Sequence, residues 1–211
     1  KTLTYSGTAI SLGANTLTLS GGGALGNTNA LVLNNTNSKL LLNSITVDNV
    51  STTSDSLGLD VDANSTVTSL SVANITPVSI ASGSSLSGGI TVTAGSIKLA
   101  ETGTLASSVS MRGGTLDADN SLTVSGTLTQ SGAITIDVAD NKTLTYSGAA
   151  ISLGANTLTL SGGGSLVSGG LTLNDADSKL LLNSITVDNV STTSDSLGLD
   201  VDNDSTVSSL S

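Results

Sequence analysis

Short apolar triplets with a polar centre recur along the chain, beginning with Leu3-Thr4-Tyr5, Ile10-Ser11-Leu12 and Leu17-Thr18-Leu19, spaced by seven residues with Gly or Asn between them. They continue at Leu31–Leu33, Leu40–Leu42, Ile45–Val47, Leu57–Val61, Val67–Val72, Val78–Ile80, Ile90–Val92 and Ile97–Leu99, then at Val109–Met111, Leu122–Val124, Leu128–Gln130 and Ile134–Ile136. Alternation with period two and β-branched enrichment predicts strands, and the Gly, Asn and Asp-Ser clusters between them predict turns. In each triplet the outer residues face inward and the central Thr or Ser faces out. No segment carries a helical period.

Strands of three to five residues are too short and too closely spaced for an immunoglobulin-like sandwich, whose turn signals come about every 8–12 residues. The spacing predicts an all-β parallel β-helix, or β-solenoid, with about three short strands per coil of roughly 20–22 residues. Ten such coils stacked at about 4.8 Å give a rod roughly 45–50 Å long.

A longer period encloses the short one. Lys1–Gly23 returns as Lys142–Gly164 with only Thr8 changed, to Ala149, and Ser38–Ser71 returns as Ser178–Ser211. The chain is about one and a half copies of a unit of roughly 140 residues. Residues 1–141 form the first unit and 142–211 the first half of a second, near-identical one, in one continuous solenoid. Outward Ser, Thr and Asn positions are copied as faithfully as Leu and Val positions, which points to recent duplication rather than to core packing alone. The pattern opens in mid-register at Lys1 and stops inside a repeat at Ser211, so a longer covalent repeat, with any targeting signal elsewhere in it, or head-to-tail assembly of copies is expected.

Composition fits thin aliphatic layers. Apolar residues make up 37 % and aromatic ones 1 %, with no Cys, no His and one Pro. A net charge of −10 with six scattered basic residues leaves nothing to neutralise a phosphate backbone, so nucleic acid is not an expected partner. No run reaches the roughly 18 apolar residues of a membrane span.

The segments Asn156–Leu166, Gly126–Ile136 and Gly113–Leu128 resemble the Gly-punctuated, Thr- and Leu-rich coils of bacterial surface β-helices, such as autotransporter passengers and filamentous-haemagglutinin-like adhesins. The resemblance spans the whole chain in texture and carries over no functional residues. It implies a right-handed parallel β-helix with an extracellular or cell-surface role as stalk or adhesin.

Acidic clusters precede several strands. They supply the hard oxygen donors Ca²⁺ takes, which makes Asp60, Asp62, Asn64, Asp117, Asp119, Asp137, Asp140, Asp175, Asp177, Asp200, Asp202 and Asp204 the candidate metal ligands. Against this, reading Asp200 as the first position of an EF-hand puts Ser205 where Gly is needed and Ser211 where Glu is needed. Two outward carboxylates on one strand also stand about 6.5–7 Å apart, too wide for direct chelation. Solvated turn residues are the plainer reading, and no cofactor is required.

Thr-x-Thr pairs at Thr2/Thr4, Thr16/Thr18, Thr66/Thr68, Thr91/Thr93, Thr127/Thr129, Thr143/Thr145 and Thr157/Thr159 would form an ice-binding array if they stacked on one face. The seven-residue spacing places Thr2 and Thr16 on different faces. Catalysis has little to work with: Glu101 is the sole Glu and Arg112 the sole Arg, and no His or Cys can act as base or nucleophile. Arg112 near Asp117 and Asp119 is the least poor candidate for the acid-sugar chemistry of some β-helix enzymes. Tyr5 and Tyr146 occupy equivalent inward positions and are expected to pack in the core or at the coil edge rather than to form a sugar-stacking platform. The expected function is that of a structural shaft, with an ice- or glycan-binding surface as the alternative.

Overall fold

The computed structural model describes all residues from Lys1 to Ser211 and contains β-strands, turns and no helix. Every strand pairing is parallel, and the chain winds as a β-solenoid of about ten coils. Each coil visits three faces. Faces 1 and 2 share one hydrogen-bonded sheet of 17 strands, and face 3 is a separate sheet of 10 strands.

The coil length is less regular than the triplet spacing predicts. On face 3 the strand Lys39–Asn43 pairs with Gly58–Val61 so that Leu40 meets Leu59, a step of 19 residues. Higher up, Ile134 meets Leu158, a step of 24. The slack is taken up in turns, because the inward positions must stay in register for the core to stack.

Inward residues form aliphatic ladders. One runs on face 3 through Ile97, Leu116, Ile136, Leu160, Leu182 and Val201. Together 45 buried side chains make a single core in which Tyr146 is the only aromatic. Each fully buried Leu, Ile or Val contributes roughly 1.5–3 kcal/mol. The stack therefore holds by the number of its layers, each of which depends on its two neighbours.

In several coils faces 1 and 2 are crossed by one bent strand where the triplets suggest two: Thr46–Thr52, Ser65–Val72, Ser85–Val92 and Thr186–Thr192. The bend is visible in the burial pattern. In Ser65–Val72 the buried Val67 and Leu70 are separated by two exposed residues, Thr68 and Ser69, which turn the corner. In Ser85–Val92 the register against the coil below slips between Gly88 and Gly89. Gly88 has φ +114°, and a Cβ there would lie 1.9 Å from the Val67 carbonyl oxygen. Only glycine fits such a bulge.

Candidate functional surfaces

The acidic clusters lie on the outer side of face 3 and in the turns that flank it, with Asp175 and Asp177 in the turn ahead of the strand Lys179–Asn183. Leu59 and Val61 are buried, Asp60 between them is half-buried and Asp62 is exposed. Lysines from the coil beneath reach several of these carboxylates. Lys39 Nζ lies 2.8 Å from Asp60, and its repeat counterpart Lys179 lies 3.3 Å from Asp200. Lys98 bridges Asp119 at 2.9 Å and Asp117 at 3.2 Å. Each pair joins one coil to the next.

Asp117, Asp137 and Lys98 stand in one outward column. Burial raises the pKa of Asp117 above its ordinary value; the Lys98 hydrogen bond and charge pull it down, and the carboxylates of Asp119 and Asp137 push it up again. Lys98 is raised, first by its hydrogen bond to Asp119, against partial burial. The two directions fit an unequal bridge in which Asp119 is the closer partner and Asp117 ionises at a cost. Asp137 is bonded from the coil above by the Ser161 hydroxyl.

The remaining acidic positions do turn work. The Asp177 N–H donates to Asp175 Oδ1 at 3.0 Å, and the Asp175 N–H donates to Ser178 Oγ at 3.0 Å. In the first repeat the same turn is built from Asn35, Asn37 and Ser38, with distances of 2.9 and 3.0 Å. Asp204 occupies the place of Asn64, whose Oδ1 accepts from the Ser85 N–H at 2.9 Å. Asp140 packs against Gly163, and Asp202 lies exposed above Asn183. Nowhere do three acidic side chains converge into a group that could hold a metal ion.

The paired threonines fall on all three faces: Thr2/Thr4, Thr66/Thr68 and Thr143/Thr145 around face 1, Thr91/Thr93 and Thr127/Thr129 around face 2, and Thr16/Thr18 and Thr157/Thr159 on face 3. They do not stack into a two-column array. Face 2 instead presents one outward hydroxyl per coil, through Ser51, Ser71, Thr91, Ser110 and Thr129.

That column is interrupted above Thr129, where Leu128–Gln130 has no backbone pairing with Ile151–Ser152. Two side chains span the gap. The Tyr146 hydroxyl accepts from the Leu128 N–H at 3.0 Å, and Gln130 Nε2 donates to the Leu153 carbonyl at 2.9 Å. A cleft of about 300 Å³ opens between them, lined by Thr129, Tyr146 and Ala149 among others. The Tyr146 ring folds back over Gly148, where a Cβ would lie 2.3 Å from its hydroxyl oxygen. Tyr146 is buried in the core, as its inward position predicts. Arg112 is exposed and forms no ion pair, the nearby Asp117 and Asp119 being engaged by Lys98.

Sequence reasoning missed the buried polar residues that stitch coils together. Ser178 is fully buried and donates to the Gly154 carbonyl at 2.6 Å, and Ser38 does the same to Gly13. Faithful copying of this serine in both repeats was the available signal. Asn27, also fully buried, donates to the Asn49 carbonyl at 2.7 Å, and Asn49 returns a bond to the Asn27 carbonyl at 2.6 Å. Asn27 has no copy, since Ser168 stands at its place, so nothing in the sequence marked it.

No protein-family model matches the chain, and no curated protein or solved structure matches it. Function is therefore read from these surfaces. No helix is long and apolar enough to cross a membrane.

Proposed function

We propose that this chain is a length of structural shaft in an extracellular or cell-surface fibre, stalk or adhesin, in the manner of the autotransporter passengers and filamentous-haemagglutinin-like adhesins its coils resemble. The observation that supports this reading is how the outward polar groups are used. Lys39, Lys98 and Lys179 bind the coil above, and Asn27, Ser38, Asn64 and Ser178 bind neighbouring coils, so much of the polar surface is engaged in holding the stack. The two copies of the repeat enter the same stack seven pairings apart, so duplication lengthens the rod and leaves its cross-section alone. On this reading the role is mechanical and non-enzymatic, needs no cofactor, and is set by length.

Force spectroscopy with the chain held at its two ends tests it. A shaft of stacked coils extends in steps of single coils, roughly 65–85 Å each from the reach of an extended chain. Release of the whole chain in one event at low force would contradict the proposal.

The hydroxyl column of face 2 favours a second reading, a surface that binds ice or glycan. Freezing-point hysteresis, or retention on a glycan array that is lost on replacing Thr91 and Thr129 by Val, would support it over the shaft.

A further inference from the structure

One step of the stack lacks its share of the backbone ladder. Between every other pair of neighbouring coils, face 2 is paired strand to strand. Between Leu128–Gln130 and Ile151–Ser152 it is not, although face 1 pairs Leu122–Val124 with Thr143–Tyr146 and face 3 pairs Ile134–Val138 with Thr157–Ser161 across the same two coils. The cause lies in the corner between faces 1 and 2. Val124 and Tyr146 stand in register, but three residues, Ser125–Thr127, lead from Val124 to Leu128, and four, Ser147–Ala150, lead from Tyr146 to Ile151. The extra residue carries the upper strand out of line with the lower one and interrupts the ladder. The same step is the join of the two sequence units, its lower wall drawn from residues 1–141 and its upper wall from 142–211.

The side-chain ties that replace the ladder hold it less well. Leu128 N–H donates to the Tyr146 hydroxyl at 3.0 Å, and Gln130 Nε2 donates to the Leu153 carbonyl at 2.9 Å. Held there, Gln130 keeps its Oε1 buried with no hydrogen-bond partner, a cost that is relieved when the step opens to water. On the opposite corner, where faces 3 and 1 meet, the two coils stay joined, and the Thr143 N–H donates to Ser121 Oγ at 3.0 Å.

We infer that this step is a hinge. Face 2 opens there, and the coils above tilt away from those below about the corner of faces 3 and 1, whose ladders hold throughout. The cleft of about 300 Å³ is the mouth of that opening. In the proposed shaft the hinge sets the bend of the rod at the join of its repeat units; that purpose rests on the shaft reading, while the opening rests on the geometry alone.

The chain has no cysteine, so single introduced cysteines report the opening. Ile151, Val109 and Leu171 are inward residues of face 2, exposed by 1 %, 1 % and 0 %. Ile151 borders the unpaired step, whereas Val109 and Leu171 lie on strands paired on both sides. Under native conditions Ile151→Cys should react with a thiol reagent at least about tenfold faster than Val109→Cys or Leu171→Cys, because local opening exposes it without unfolding the stack. Adding Tyr146→Phe, which keeps the ring and removes the acceptor, should quicken labelling at position 151 and leave the other two unchanged. Amide exchange in the unsubstituted chain makes the same comparison. The Leu128 N–H, bonded to the Tyr146 hydroxyl, should exchange at least about tenfold faster than the Val109 N–H, bonded to the Thr127 carbonyl at 2.7 Å. Equal labelling at the three positions, or equal protection of the two amides, overturns the hinge. Equal rates in a chain that extends coil by coil would remove the hinge and spare the shaft; fast labelling at position 151 in a chain that gives way in one event would do the reverse.

Discussion

Leu3 and Leu144 are the same residue in the same local sequence, and only the coil beneath Leu144 distinguishes them. Leu144→Ala should cost about 2–5 kcal/mol in a denaturant melt, the range for a buried Leu truncated to leave a cavity. Leu3→Ala should stay within about 0.5 kcal/mol in the monomer, as an exposed position does. Equal effects at the two sites would contradict the stacking. Ser178 adds a polar counterpart. Its alanine variant leaves the half-buried Gly154 carbonyl and the Asp175 N–H without their partner, at about 1 kcal/mol. Asp117 gives the pH dependence. Its pKa is higher in the folded chain than in the unfolded one, so the fold binds its proton more tightly, and its contribution to stability falls as pH rises from the ordinary carboxylate range through the raised value. Asp117→Asn should flatten that slope in melts compared between acid and neutral pH, and an unchanged profile would show that Lys98 already compensates the charge. Lys98 acts at the other extreme: its raised pKa gives a contribution present below the unfolded lysine value and lost as alkaline pH passes the folded one.

At the level of strands and turns, the duplicated turn at Asn35–Ser38 and Asp175–Ser178 separates charge from geometry. Both copies make the same hydrogen bonds, one with amides and one with carboxylates. Replacing Asp175 and Asp177 together by Asn should leave the melting temperature unchanged, and melts in millimolar calcium and in chelator should coincide. A rise in calcium that the double variant abolishes would assign Ca²⁺ to this turn by mass action. The strands themselves were legible in the sequence because period-two alternation with a buried aliphatic set leaves one register. The merging of two strands across the corner at Val67–Leu70 was not, since two consecutive outward residues read as a turn whether or not the backbone ladder continues through them. The break above Leu128–Gln130 was equally hidden, because Tyr146 and Gln130 supply from side chains what the backbone ladder supplies elsewhere. Among the acidic residues position was legible and partner was not: Lys98 stands 19 residues from Asp117 and meets it only because the coil between them has that length.

On the scale of the whole molecule, a solenoid grows along one axis. The seven pairings that separate Thr2–Tyr5 from its copy Thr143–Tyr146 define the length of one repeat. At about 4.8 Å per coil, one further unit should add roughly 34 Å of rod. The direct test is solution X-ray scattering, extrapolated to zero concentration, on this chain and on one carrying a second copy of residues 1–141 ahead of it. The rod length should increase by roughly 34 Å with the cross-sectional radius unchanged. Growth in cross-section, or two compact bodies joined by a flexible segment, would contradict the claim that these repeats build a single shaft.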